Sequence, residues 1–188
     1  MMTCQTLPLL WLLSDARNDA ALDGALRALP RGSGFVFRHY HLGGEDRRAR
    51  FGQLAKIART QEHRVILSSK GWHEVADWGA DGLYGGRPIE TDQRPDRMLW
   101  LAAAHDAAQI ARANTHGADG VFVSPVFTTR SHPGAEVLGS EGFHALAKQS
   151  AAPVIALGGM NPARAEQLGW PRWGAIDGLA NDLAGAPH

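Results

Sequence analysis

A short glycine motif that recurs along the chain is the strongest constraint on its fold. Residues 79–82 (GADG) are repeated as residues 117–120, and residues 174–178 (GAIDG) form a looser copy. Each copy follows a stretch with helical character and precedes a short apolar run. Glycine after a helix permits the left-handed conformation that ends many helices, and a short apolar run beyond it is typical of a buried strand. The repeated unit is therefore a helix, a tight turn and a strand.

Extending this pattern in both directions predicts strands that alternate with helices along the whole chain. The predicted strands are residues 9–13, 35–40, 65–67, 83–84, 98–102, 121–123, 154–157 and 176–180. The predicted helices are residues 19–29, 45–60, 72–78, 106–116, 141–150 and 162–168, and the connection over residues 85–97 lacks a clear helix. Such alternation indicates right-handed crossovers and a parallel sheet.

A parallel sheet of this size is either an open, doubly wound sheet or a closed barrel. A dinucleotide-binding open sheet would carry a glycine-rich fingerprint after the first strand, but residues 14–17 read SDAR. We therefore predict a single α/β domain over residues 1–188, a compact (β/α)₈ TIM barrel. Such barrels usually have about 250 residues. Because only eight residues follow Ala180, we expect a shortened C-terminus.

Charge and composition narrow the class of partner. The 19 Lys and Arg residues balance the 19 Asp and Glu residues, which leaves no basic excess for nucleic acid or an anionic membrane. Residues 7–13 are too short for a membrane span and are predicted to be a buried strand rather than part of a signal peptide. Cys4 is the only cysteine, which excludes an intramolecular disulfide. We expect a cytoplasmic protein that binds a small molecule and neither nucleic acid nor membrane.

The tryptophans leave one question about assembly open. Most of the six tryptophans are expected to pack between the helices and the barrel. Trp170 and Trp173 flank Pro171 close to the C-terminus. They either pack in the same way or cover an exposed barrel face or a homodimer contact.

In a barrel of this kind the active site lies at the C-terminal ends of the strands. The clearest pattern there is residues 157–162 (LGGMNP), after the predicted seventh strand. Gly158 and Gly159 allow backbone N–H groups to approach a ligand, and Asn161 followed by Pro162 is typical of a helix start. Such a turn suits a phosphate group. A Gly-Gly turn required only for close packing is the alternative.

A second candidate region is the long connection over residues 124–139, since most connections have a median of about 4–6 residues. Ser124, Thr129, Arg130 and His132 in this segment suit an anionic ligand. The segment is therefore either a binding loop or a solvated connection without a function.

His105 directly follows the predicted fifth strand and precedes residues 106–109 (DAAQ), which resemble a helix capping box. A histidine at this face can exchange protons near neutral pH, although capping or packing would also account for it. His39 and His41 form an alternate-residue pair, but no carboxylate or thiol spacing beside them supports a metal site. No metal is predicted.

Several of these segments resemble the thiamine phosphate synthase family, which includes the TenI-type thiazole tautomerases. The resemblance rests on residues 117–120 (GADG), 124–127 (SPVF), 133–135 (PGA) with 138–139 (LG), and 153–162 (PVIALGGMNP). Residues 13–15 and 37–38 extend it weakly. It implies a (β/α)₈ barrel that holds a thiazole phosphate near Gly158 and Gly159. Asn161 and the N–H groups near Asn181 are expected to complete that phosphate site.

The chain departs from the synthase pattern where that enzyme binds Mg²⁺ and diphosphate. Of the Gln-Leu-Arg-x-Lys pattern after strand two, only Arg38 remains, and Ser68 and Ser69 replace an Asn-Asp pair. Residues 86–89 (GRPI) lack the aspartate expected after strand four. Mg²⁺ prefers carboxylate oxygens. Magnesium-dependent pyrophosphate chemistry is therefore not expected.

The remaining residues suit the tautomerases, which need no metal and whose Ser-x-His histidine aligns with His105. The resemblance implies a metal-independent thiazole tautomerase-like reaction without a cofactor, with His105 as proton shuttle and Arg38 or Lys70 holding the substrate carboxylate. One alternative is a thiamine phosphate synthase that uses Mg²⁺ and has rebuilt its diphosphate site from Lys70, Arg87 and Arg130. Another is a non-catalytic phosphate-binding or regulatory module.

Overall fold

The structure is a computed structural model that describes residues 6–86, 93–129, 134 and 136–179. Strands and helices alternate along these residues. The strands are β1 (Leu10–Leu13), β2 (Gly34–Phe37), β3 (Arg64–Ser68), β4 (Gly82–Gly85), β5 (Leu99–Ala104), β6 (Gly120–Val123), β7 (Val154–Ala156) and β8 (Trp173–Ala175). The helices are α1 (Leu22–Ala28), which follows a 3₁₀ turn at Asp19–Ala21, and α2 (Gly44–Thr60), α3 (Trp72–Trp78), α4 (Ala107–Thr115), α5 (Gly139–Ala147) and α6 (Pro162–Leu168).

The strands close into a parallel barrel in chain order. Each strand pairs with the next, and β8 returns to pair with β1 through Leu10 opposite Trp173 and Leu12 opposite Ala175. The prediction of a (β/α)₈ barrel is thus confirmed. Between β4 and β5, the described residues 86 and 93–98 contain no helix, as predicted. The predicted shortening of the C-terminus concerns residues beyond 179, which lie outside the described part of the chain.

The predicted bounds of two strands, the last and the second, were wrong. The last strand is Trp173–Ala175 rather than residues 176–180, because Trp173 makes the pairing with β1 and β7 and its N–H donates to Leu9 O (2.9 Å). Residues 176–179 then bend into a helical turn. The second strand ends at Phe37 and not at residue 40, since His39 takes a positive φ of 32° that breaks the extended chain.

The strands bury both faces, as expected for a parallel sheet inside a ring of helices. Trp11 and Leu13 point into the barrel with residues such as Ile66 and Phe122, whereas Leu12 belongs to the layer between sheet and helices. Among the described residues, no helix is long and apolar enough to cross a membrane.

Trp170 packs within the fold. Its ring lies edge-on to Phe143 with a centroid distance of 5.2 Å, and its indole N–H donates to Val154 O at 3.0 Å. Trp170 and Trp173 are both half-buried. Packing between the sheet and α5 therefore accounts for the buried part of Trp170, and the homodimer contact stays a prediction.

The repeated glycine motif connects each helix to the neighbouring strand through its aspartate. Asp81 Oδ2 accepts the N–H of Val65 (2.8 Å), and Asp119 Oδ2 accepts the N–H of Trp100 (2.7 Å). In both copies the aspartate bonds to the start of the preceding strand in the barrel. The motif therefore sets strand register as well as ending a helix.

Trp11 fills the barrel interior beside a glycine of the next strand. Trp11 pairs with Gly34 in the sheet, and a Cβ added at Gly34 would lie 2.1 Å from Trp11 Cε3. Trp11 is fully buried and stands edge-on to Phe122 at a centroid distance of 5.7 Å. The absence of a side chain at Gly34 is therefore a packing requirement.

Gly34→Ala is expected to lower the free energy of unfolding by about 1–3 kcal/mol, because Trp11 has no space into which to move. Gly52→Ala on α2 is the matched control, since an added Cβ there meets nothing within 4 Å. That control is expected to raise stability by about 0.5–1 kcal/mol. Urea unfolding of both variants measures the difference, and equal stability of the two would contradict this packing argument.

His63 is buried with only one of its ring nitrogens bonded. Nε2 donates to Leu26 O at 2.8 Å, and Nδ1 has no partner within the described residues. Burial lowers the pKa of His63 below its ordinary value of 6.5. The folded state therefore favours the neutral ring, whereas the unfolded chain takes up a proton as pH falls below 6.5.

We expect the free energy of unfolding to decrease as pH falls from 7.5 to 5.5, with His63 contributing at most about 1.4 kcal/mol per pH unit. His63→Gln should make this pH dependence shallower, while His116→Gln, at an exposed histidine, should leave it unchanged. Urea titrations at several pH values provide the measurement. A slope that His63→Gln does not alter would exclude His63 as its source.

Candidate active site

A cavity of about 1200 Å³ opens at the C-terminal ends of the strands. It brings together seven of the residues predicted from the sequence: Arg38, His105, Ser124, Thr129, Gly158, Gly159 and Asn161. Lys70 is exposed beyond β3 and is not among the lining residues. Arg87, Arg130, His132 and Asn181 lie outside the described residues.

The glycine turn after β7 brings two loops into backbone contact. Gly158 has a φ of +95°, and a Cβ added there would lie 2.6 Å from Pro125 Cα. Gly159 has a φ of +64°, and its added Cβ would lie 2.5 Å from Thr128 O. Both positions therefore require glycine for close packing, which supports the packing alternative without excluding a ligand.

The N–H groups of this turn remain available to a ligand. Within the described loops, Gly158 O accepts from Phe127 N–H (3.0 Å) and Gly159 O accepts from Arg164 Nη1, but neither glycine N–H donates to another described residue. Asn161 Oδ1 accepts the N–H of Arg164 at 2.9 Å. The Asn161 side chain therefore serves as the N-cap of α6, and the N–H groups of Gly158 and Gly159 are donors without an acceptor among the described residues.

His105 is held in one tautomer by the chain beside it. Its Nδ1 lies 2.7 Å from Ser124 O, and because a carbonyl only accepts, Nδ1 carries the proton. Nε2 is then the nitrogen that can take up a proton. Asp106 accepts the N–H of Gln109 (2.8 Å), as the capping pattern predicts, but Gln109 Oε1 accepts from His105 N–H rather than from Asp106.

Tyr84, on β4, forms the wall of the cavity across the barrel from β8. It stands edge-on to Phe122 at a centroid distance of 5.3 Å. Burial raises the pKa of Tyr84 to about 12. Its phenol is therefore neutral at physiological pH and cannot act as a base there.

A series of ion pairs crosses the mouth of the barrel, which is the open end of the cavity, from the end of β2 to the end of β8. Arg38 Nη2 lies 2.9 Å from Asp15 Oδ2, and Arg17 links Asp15 (2.8 Å) to Asp177 (3.3 Å). Burial alone would raise the pKa of Asp15, but hydrogen bonds and charge from Arg17 and Arg38 hold it below its usual value. Asp15 is thus ionised, and the arginines pair with both aspartates.

Three charged lining residues, Glu136, Arg164 and Asp177, were not among the predicted site residues, although Glu136 lies in the candidate segment 124–139. Arg164 lies in the first turn of α6, three residues after Asn161. Asp177 belongs to the third copy of the glycine motif, directly beyond β8. Arg164 was missed because it lies seven residues beyond the predicted seventh strand. Asp177 was missed because the last strand was predicted over residues 176–180, whereas β8 ends at Ala175.

The described residues do not fit a resident Mg²⁺ ion. At the end of β3, Ser68 Oγ bonds to Tyr40 OH (2.8 Å) and Ser69 Oγ donates to Glu74 Oε2 (2.5 Å). The nearby Asp15 is already paired with arginines. No group of three His, Cys, Asp or Glu side chains able to hold a metal occurs in the described part of the chain.

Asp177→Asn is expected to increase the affinity for inorganic phosphate about 3- to 10-fold. The substitution removes a negative charge from the cavity wall beside Gly178 and leaves Arg17 less neutralised, an effect of about 1 kcal/mol for solvent-screened charges. Isothermal titration calorimetry measures the affinity. Asp77→Asn is the charge-matched control, because Asp77 is an exposed residue of α3 that pairs with Arg48. This substitution should have no effect on phosphate affinity. Unchanged or weaker binding by Asp177→Asn would exclude phosphate binding near Asp177.

Comparisons with known proteins agree with the barrel geometry. A family model described as thiamine monophosphate synthase matches residues 11–172. The thiamine-phosphate synthase of Chloroflexus aurantiacus is 33% identical over 107 residues, which cover 54% of this chain and 48% of that protein. That of Alcanivorax borkumensis is 28% identical over 156 residues, which cover 80% of this chain and 69% of that protein. The chain spans about half the length of the first of these relatives.

Solved structures show the same fold. Thiamine phosphate pyrophosphorylase from Pyrococcus furiosus has a TM-score of 0.75 at 18% identity, with 93% of this chain and 91% of that chain covered. A variant of the citrate synthase SbnG has a TM-score of 0.61 at 12% identity, with 91% and 87% covered. At such identities the likeness concerns the barrel alone.

Proposed function

We propose that this chain, which belongs to the thiamine monophosphate synthase family, is a thiamine-biosynthesis enzyme that binds a thiazole phosphate at the Gly158–Gly159 turn. The first activity we assign to it is the synthase reaction, in which the thiazole nitrogen displaces diphosphate from a pyrimidine methyl diphosphate. The curated relatives named above carry the name of that reaction. This assignment replaces the tautomerase as the leading hypothesis.

The size and lining of the cavity carry this proposal. At about 1200 Å³, it exceeds the range of about 300–1000 Å³ usual for a single small ligand. The glycine turn and Gly178 line the side formed by β7 and β8, while Arg38, Tyr84 and His105 come from β2, β4 and β5. The volume supports two substrates bound side by side.

The described residues suggest how the two anionic groups would be held. The unused N–H groups of Gly158 and Gly159 suit the phosphate of the thiazole. A leaving diphosphate develops negative charge, and a positioned guanidinium stabilises such charge through paired hydrogen bonds. Arg38 is the arginine on the side of the cavity away from the glycine turn, with its side chain largely buried. We therefore assign the diphosphate to Arg38.

A second candidate function is the metal-independent thiazole tautomerase, which the fixed tautomer of His105 favours. Ser124 O holds the proton on Nδ1, so Nε2 can accept a proton from a substrate carbon and return it elsewhere on the ring. This reaction needs one substrate and no diphosphate site. The two functions therefore differ in the residue that carries the reaction. The first depends on Arg38 at the diphosphate, and the second depends on His105, with Arg38 or Lys70 holding the substrate carboxylate.

The full chain is expected to convert thiazole phosphate and the pyrimidine diphosphate into thiamine phosphate and inorganic pyrophosphate. We expect this product both with Mg²⁺ and with EDTA. Arg38→Ala should lower the rate about 10- to 100-fold, the range for loss of a hydrogen bond to a charged group. Arg31→Ala, at an exposed arginine paired with Glu62, is the matched control and should retain full activity.

Deuterium exchange into a thiazole carboxylate phosphate tests the second function with the same preparations. Exchange by the wild type that His105→Ala reduces by about 10²-fold or more, without any synthase product, would replace the first proposal by the tautomerase. Thermal stabilisation by thiazole phosphate without either reaction would instead indicate a phosphate-binding module.

A further inference from the structure

Ser14 and His39, which are both buried, form a hydrogen-bonded series with the partly exposed Asp19 beside the cavity. His39 Nδ1 lies 2.7 Å from Ser14 Oγ, and His39 Nε2 lies 2.8 Å from Asp19 Oδ1. Ser14 is fully buried and His39 is 1% exposed. The same three residue types form the catalytic series of many hydrolases.

Ser14 cannot act as a nucleophile in this position. Its Oγ has no exposure to solvent and already accepts the backbone N–H of Arg38 at 2.8 Å. A hydrolytic serine needs an accessible oxygen next to its histidine. The series must therefore act on its protein neighbours, of which Arg38 is the one that lines the cavity.

The proton positions in the series follow from its partners. Asp19 also accepts from Arg50 Nε at 2.8 Å, and these hydrogen bonds from His39 and Arg50 outweigh burial and lower the pKa of Asp19. An ionised carboxylate only accepts, so His39 Nε2 carries a proton. Burial lowers the pKa of His39, so the ring is neutral. Nδ1 therefore carries no proton and accepts a hydrogen bond from the Ser14 hydroxyl. Ser14 Oγ is thereby left to accept the N–H of Arg38, and Ser14 Oγ and both ring nitrogens of His39 have partners.

The backbone of His39 requires such anchoring. Its φ of +32° lies on the left-handed side that residues other than glycine rarely adopt. The ring stacks on Phe37 with a centroid distance of 4.6 Å and an interplanar angle of 6°. This turn directs His39 into the protein at the point where Arg38, the preceding residue, extends to the cavity.

Arg38 itself is fixed to the same segment at three points. Its N–H donates to Ser14 Oγ, its Nε donates to Ser14 O at 3.0 Å, and its Nη2 donates to Asp15 Oδ2 at 2.9 Å. Because Ser14 contributes two of these contacts, any shift of Ser14 relative to β2 moves the guanidinium. His39 is the residue that ties Ser14 to Asp19 and, through it, to Arg50 on α2.

We propose that the Asp19–His39–Ser14 series positions Arg38, with His39 as a positioning residue that sets where the guanidinium lies in the cavity. The role of Arg38 toward a diphosphate rests on the proposed function, whereas its placement by His39 does not. The inference extends the site to three residues that do not themselves line the cavity: Ser14 directly after β1, Asp19 in the 3₁₀ turn before α1, and His39 two residues after β2.

Nuclear magnetic resonance of the Arg38 Nε–H group tests the placement without any ligand. In the full chain, His39→Phe keeps the aromatic ring beside Phe37 but removes both hydrogen bonds, and it is expected to shift this resonance and speed its exchange with water at least about tenfold. His39→Asn, whose amide oxygen can still accept from Ser14 and which tolerates the left-handed backbone, should restore much of the protection. His63→Phe, at the other buried histidine, should leave the resonance unchanged. Arg38→Lys identifies the signal by its loss.

Binding of inorganic pyrophosphate, measured by calorimetry, tests the consequence. His39→Phe and Arg38→Ala should each weaken binding about 10- to 100-fold, and the double variant should bind no more weakly than Arg38→Ala alone, because both act through one group. If His39→Phe does not fold, Ser14→Ala replaces it, since it removes the same link. An unchanged Arg38 resonance in the folded variant, or additive losses of affinity, would overturn the inference. Absence of pyrophosphate binding by the wild type would overturn the proposed diphosphate role and leave the positioning role to be judged by the resonance.

Discussion

Pairing of β8 with β1 closes the sheet, and every other feature of this protein depends on that closure. Trp11 fills the interior at the seam, where Gly34 on β2 leaves room for its ring and Gly174 on β8 allows β8 to lie close to the Trp11 backbone and Cβ. Asn18 strengthens the seam, because its amide donates to Leu13 O and Ile176 O at 3.0 Å each. Since all strands of a closed parallel barrel end on one face, closure also gathers residues from distant parts of the sequence at one mouth.

The mouth is built in two physically different ways. On the side of β6 to β8, glycines allow backbone to approach backbone, as where an added Cβ at Gly178 would lie 2.4 Å from Met160 O. On the side of β1 and β2, arginines and aspartates neutralise one another and hold the guanidinium of Arg38 in place. A chain with balanced charge thus offers neutral N–H donors at one side of its cavity and a fixed cation at the other.

Local patterns in the sequence were sufficient for the architecture and for some of the site. Continuous apolar runs mark strands buried on both faces, and Asp106 and Asn161 were identifiable as N-caps because a capping bond spans only three residues. The last strand was misplaced because Trp173–Ala175 is short and its extent is set by pairing with β1 and β7. Lys70 was expected in the cavity from its position after β3, but position after a strand does not determine which way a long side chain points.

The sequence by itself determined the alternation of strands and helices, the Gly158–Gly159 turn and the place of His105 at the end of β5, because each follows from contacts within a few residues. The barrel was inferred from that alternation, but its closure depends on the distant pairing of β8 with β1. Only the tertiary structure decided what surrounds Arg38. Asp15, Ser14, His39 and Asp19 meet there because β1 and β2 are neighbours in the closed sheet, and the hydrogen bonds between Ser14 and His39 join residues 25 positions apart. Hydrogen bonds over such separations depend on strand register, which no local pattern of residues specifies.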